Sequence, residues 1–133
     1  MTTAIIITLI LAVILIASFI DHLPKKYRRR GCQGIYWRRR YPAVSKDEIR
    51  KYLRVFCEAF SFKEKHRSRF RPDDKVIDVY RAIYPSRFTA DAMELEEFAE
   101  ALEKEYGLDI ANVFNDNTSL GDLFESAMEK SAL

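Results

Sequence analysis

The apolar positions of this chain fall into four patterns, and each predicts its own element. From Ala4 to Ile20 the run AIIITLILAVILIASFI is apolar on every side, broken only by Thr8 and Ser18. As a helix it rises roughly 25 Å, at the short end of what crosses a bilayer. From Ser45 to Phe60, Ile49, Leu53, Phe56 and Phe60 recur at spacings of four, three and four, with Tyr52 and Ala59 widening the stripe. That spacing is one face of an amphipathic helix, and Ser45 with Glu48 supplies a capping box at its start. From Thr89 to Gly107, Leu95, Phe98, Leu102 and Tyr106 form a second such face, with Ala99 filling between them. Asp91 caps its first turn with Glu94 as reciprocal partner, and Gly107 stops it. The last pattern, SLGDLFESAMEK, turns Leu120, Leu123, Phe124 and Met128 inward behind a Thr118 or Ser119 cap, with Gly121 as a local weakness.

The connections carry turn chemistry. Phe70 to Pro85 is a long link in which Pro72 and Asp73-Asp74 turn the chain. Val76, Ile77, Val79 and Tyr80 pin that link to the core, with a helical turn from about Asp74 to Ile83. Ala111 to Phe114 reads as a single turn, and Asn115-Asp116-Asn117 as a polar break. The expected fold class is therefore all-α. The expected division is a short N-terminus (1–3), a transmembrane helix (4–20), a basic juxtamembrane linker (21–42) and a helical domain (43–133).

Charge sharpens this division. The 133 residues carry 22 Lys/Arg and 20 Asp/Glu, but unevenly. Residues 21–71 hold seventeen Lys/Arg against five Asp/Glu, and residues 91–133 hold two against twelve. Such asymmetry implies that the two halves face different partners. Lys25, Lys26, Arg28, Arg29, Arg30, Arg38, Arg39 and Arg40 follow the apolar run, and only the Met1 amino group precedes it. The positive-inside rule then sets the bulk of the chain in the cytoplasm, on a single-pass protein of the inner (cytoplasmic) membrane. A cleaved signal peptide is the rival, but no basic residue precedes the run and no small-x-small site ends it. In PKKYRRRGCQGIYWRRRYP the cations alternate with Tyr27, Tyr36, Trp37 and Tyr41. Anionic lipid and nucleic acid both suit that composition. Proximity to the anchor favours lipid, with Trp37 at the membrane surface beside the cations.

Candidate chemistry is sparse. Cys32 and Cys57 form no CxxC or Cys/His cluster, so they read as free thiols of a reducing compartment. His66 has no second His or nucleophile near it in sequence. There is no Gly-rich phosphate loop, HExxH, nucleophile triad or dinucleotide fingerprint. The expectation is a non-enzyme without metal or cofactor.

Asp91-Ala92-Met93-Glu94 followed by LEEFAEALEKEYGLDI resembles the second helix of an acyl carrier protein. The resemblance covers roughly Ser45 to Lys130 in helix order and loop lengths. It implies an acyl-carrier-protein-like four-helix bundle preceded by one transmembrane helix. The family attaches phosphopantetheine to a serine; the matching position here is Ala92, which has no hydroxyl nucleophile. The chain is most similar to an uncharacterised bacterial carrier-like family in which that serine is also commonly replaced. The resemblance implies a non-catalytic module presenting Asp91, Glu94, Glu96, Glu97, Glu100 and Glu103 to a basic protein partner. Alternatives are a carrier for a membrane lipid or fatty-acid enzyme modified elsewhere, as at Ser86, an immunity-like inhibitor of a basic toxin, and a merely solvated acidic face.

Overall fold

The structure is a computed structural model describing residues 1–19, 23–84 and 93–132. Its elements are α1 (Thr2–Phe19), α2 (Lys25–Arg28), α3 (Gly34–Arg40), α4 (Lys46–Ala59), α5 (Val76–Ile83), α6 (Met93–Tyr106) and α7 (Leu120–Ser131). Two 3₁₀ turns, Glu64–Arg69 and Ile110–Asn112, complete the series. The all-α expectation holds: among the described residues regular structure is helical, joined by an isolated antiparallel bridge between Lys75 and Ser119.

The α4 stripe forms the floor of the core. Ile49, Tyr52, Leu53, Phe56 and Phe60 are buried, and Phe98, Leu102 and Tyr106 of α6 face them. Phe56 meets Phe98 with ring centroids 5.2 Å apart and Phe70 at 4.9 Å, both edge-on. Edge-on aromatic pairs add about 0.5–1.5 kcal/mol each beyond the area they bury. Ser45 caps α4, its hydroxyl accepting from the Glu48 amide at 3.2 Å. At the other end Ser61 adopts φ 58°, and the Phe62 amide donates back to the Cys57 carbonyl at 2.8 Å. That is the left-handed closure usually made by glycine. It turns Phe62 onto Phe56, whose rings lie 6.2 Å apart.

α7 begins where several segments meet. A first helical turn leaves amides without intrahelical acceptors. Here the Leu120 amide donates to the Asp74 carbonyl at 2.9 Å and the Gly121 amide to the Pro72 carbonyl at 2.7 Å. Ser119 and Asp122 close a reciprocal capping box. Gly121 is thus a requirement rather than a weakness. A Cβ there would lie 2.7 Å from Arg40 Nη1 and 2.9 Å from the Pro72 carbonyl oxygen. The helix-propensity cost of glycine, about 1 kcal/mol, is outweighed by that close approach.

Residues 23–41 correct the expected boundary. Leu23, Tyr27 and Trp37 belong to the same apolar cluster as Phe70 and Phe124, and Tyr27 and Trp37 are each 1% exposed. The Trp37 indole N–H donates to the Phe70 carbonyl at 2.8 Å, and the Gln33 amide donates to the Ser68 carbonyl at 2.7 Å. The folded core therefore starts at Leu23, twenty residues before the expected 43. The physical reason lies in the spacing: Leu23 with Tyr27 and Trp37 with Tyr41 sit four apart, a one-sided apolar stripe inside the cationic run.

α1 stands apart from this core. Its described side chains from Met1 to Ile16 are exposed except Ala12, which is half-buried. Among the described residues no helix is long and apolar enough to cross a membrane, so none meets the expectation of a spanning segment over 4–20.

These contacts predict how truncations behave. A fragment beginning at residue 23 should unfold cooperatively in urea. One beginning at 43 loses Leu23, Tyr27 and Trp37 from the core and should give no cooperative transition. Removing one large buried aromatic costs about 3–5 kcal/mol, against a total stability of roughly 5–15 kcal/mol. Equal urea midpoints for the two fragments would show that residues 23–42 are dispensable.

Candidate functional site

α6 supplies the acidic face expected from the sequence. Burial of Phe98, Leu102 and Tyr106 fixes its rotation and leaves Glu96, Glu97, Glu100 and Glu103 exposed. No described cation lies within ion-pair distance of these four carboxylates. Lys104 is the lone basic residue of the helix. At its end Gly107 takes φ 67°, and the Leu108 amide folds back to the Leu102 carbonyl at 3.3 Å. Glu94 departs from the expected set: it is half-buried and accepts a hydrogen bond from the Tyr84 hydroxyl. Asp91 and Ala92, like Ser86, lie outside the described residues.

The cationic residues grouped as a membrane surface divide in two. Lys25, Lys26, Arg28, Arg29, Arg38 and Arg39 are exposed. Arg30, Trp37 and Arg40 are used by the fold. Arg30 forks onto Asp74 with contacts of 2.7 and 3.0 Å, and the hydrogen bond to Asp74 raises its pKa further. Asp74 also accepts the Arg71 amide at 2.7 Å. Arg40 reaches Asp122 and Glu125, both at 3.3 Å, across the start of α7. Trp37 is closed into the core, so its expected place at a membrane surface is corrected: its ring edge meets Phe124 at 5.6 Å.

A third feature was missed in the sequence. Between α3, α4 and the 3₁₀ turn Glu64–Arg69 lies a cleft of about 540 Å³. Its floor is Trp37, Ile49 and Leu53, with Ile35 and Cys32 at one side. Arg38, Lys46, Arg50, Lys65 and Arg67 stand around it with Glu64. The cations come from three separate segments, so no local charge run marked them as one site. The signal available was Ile35, an aliphatic residue set among basic and aromatic neighbours.

Two further residues are settled by burial. His66, expected in a loop, is buried within the 3₁₀ turn. Cys57 is buried, which pushes its thiol up to about 12, whereas Cys32 is exposed. Among the described residues no cluster of His, Cys, Asp or Glu could hold a metal ion. Comparison of the chain with protein-family models, curated proteins and solved structures finds no match.

The thiols give a direct check on these placements. A raised folded pKa means that Cys57 remains protonated, and so unreactive, at every pH below about 12. Iodoacetamide at pH 8 should therefore add one group to the native protein, at Cys32, and a second only after denaturation. Native labelling of Cys57 at a comparable rate would contradict the packing of α4.

Proposed function

We propose that this protein is a membrane-tethered, non-catalytic, acyl-carrier-like interaction module that presents the acidic face of α6 to a basic protein partner. The observation that carries this reading is that Glu96, Glu97, Glu100 and Glu103 are exposed and make no ion pair with a described residue. Asp74, Asp122, Glu125 and Glu64 are matched with arginines, while α6 keeps its field open. Like charges at three and four spacing cost a helix a few tenths of a kcal/mol per pair. A field of this kind speeds association with a basic surface and weakens as salt rises.

The carrier-like reading rests on the order of α4, a long connection carrying α5, acidic α6, a short turn and capped α7. Ala92 offers no hydroxyl for a prosthetic arm, which favours docking over carriage. α1 is the tether in this reading. Its exposed Ile, Leu and Val side chains surround the helix, and no charged side chain occurs before Asp21. The Thr8 hydroxyl is satisfied by the Ala4 carbonyl at 2.8 Å, so it brings no unmet donor into an apolar surrounding. In this reading the domain lies on the cytoplasmic side, which the cations after α1 favour.

Full-length protein should remain with membranes through a carbonate wash. The double variant Glu97→Lys/Glu100→Lys should fold normally, because both side chains are exposed. It should capture its partner at least about ten-fold less well, a loss of about 1.4 kcal/mol. Wild-type capture should also weaken as salt rises to physiological strength, where screening acts over about 8 Å. Undiminished capture by the charge-reversed variant at all salt concentrations would sink the docking reading, and release by carbonate would sink the tether.

A further inference from the structure

The cleft between α3 and α4 has a composition that neither the acidic face nor the tether explains. Its floor is aliphatic apart from Trp37, and Trp37 is 1% exposed, so it has no open ring face. Ile35, beside the cleft, is 51% exposed, an apolar side chain with nothing over it among the described residues. A nucleobase would need an aromatic surface to stack on. An aliphatic chain needs no ring face: exposed Ile35 offers most of the apolar surface, and Ile49 and Leu53, 6% and 4% exposed, offer only their edges beneath it.

The rim selects the other end of such a ligand. Arg67 is matched by Glu64 at 2.7 Å. Among the described residues Arg50 is ion-paired with Asp47 alone, at 3.9 Å, a contact open to water. Arg38, Lys46 and Lys65 make no ion pair with a described residue. Four cations around one mouth exceed what a carboxylate's two oxygens satisfy. A phosphate group brings close to two negative charges and several acceptor oxygens. The volume, about 540 Å³, falls within the roughly 300–1,000 Å³ usual for small-molecule sites.

We propose that this cleft binds a single-chain lipid headed by a phosphate monoester, its acyl chain along Ile35 and the edges of Ile49 and Leu53 and its phosphate among Arg38, Lys46, Arg50 and Lys65. The site is independent of the acidic face and of how α1 is housed. Cys32 lines the cleft and is exposed, whereas Cys57 is buried elsewhere in α4, so one thiol reports occupancy and the other reports folding.

The test uses the full chain in nonionic micelles doped with a monoacyl glycerol phosphate, reading the alkylation rate of Cys32 by intact mass. At four times the apparent Kd the site is about 80% filled, so the rate should fall about five-fold. Inorganic phosphate, and a choline-headed lipid of the same chain length, should leave the rate unchanged. Arg38→Glu/Lys46→Glu should abolish protection while Cys57 stays unreactive, showing an intact fold. Lys25→Glu/Lys26→Glu, which alters cations outside the cleft, should keep it. Equal protection by the choline lipid, equal loss in the Lys25/Lys26 variant, or no protection by the phosphate lipid each overturns the proposal. Protection by an acidic helical peptide alone would overturn it too, by reassigning the cleft to a protein ligand.

Discussion

The first turn of α7 needs acceptors that α7 cannot provide, and residues 72–76 provide them. The Pro72 and Asp74 carbonyls take the Gly121 and Leu120 amides, and the Val76 amide returns a bond to Thr118. Around this crossing the rest of the domain is set. The Tyr52 hydroxyl donates to the Leu120 carbonyl at 2.7 Å, from a position so buried that its pKa rises well above normal. The Tyr41 hydroxyl lies 2.9 Å from the Gly121 carbonyl. Two tyrosines on separate segments thus aim at one turn, each adding a donor to a carbonyl at the start of α7.

The same crossing engages part of the positive charge that precedes the bundle. Asp74 holds the loop through its backbone and holds Arg30 through its side chain. Arg69 in turn donates to the Arg28 and Arg30 carbonyls. These arginines act as staples between the N-terminal segment and residues 69–74. Each is planar and multidentate, a geometry that a lysine ammonium lacks. Lys25, Lys26, Arg28, Arg29, Arg38 and Arg39 are exposed and make no ion pair with a described residue.

How much of this was legible follows from the range of each interaction. The stripes of α4, α6 and α7 are local, and their periodicity showed them. Ser45 was readable as a cap for the same reason, while the cap of α7 was left between Thr118 and Ser119, of which the structure uses Ser119. What escaped depends on residues far apart in the chain. Trp37 among arginines has the composition of an interface anchor; only its bond to Phe70, 33 residues on, identifies it as core. Gly121 looks like a flaw until Arg40 and Pro72 are seen against it. Of the candidate sites, the glutamates of α6 form one helical run and were visible, apart from Glu94, whose tyrosine partner is ten residues upstream. The cleft gathers α3, α4 and the 3₁₀ turn, and no single stretch of sequence describes it.

The early start of the core also limits where the domain can go. α1 ends at Phe19 and the buried cluster begins at Leu23, only four Cα steps away. At about 3.8 Å per step, those residues reach at most roughly 15 Å along any path. Covalent geometry alone therefore sets a ceiling on the distance between the end of α1 and the first residue of the core.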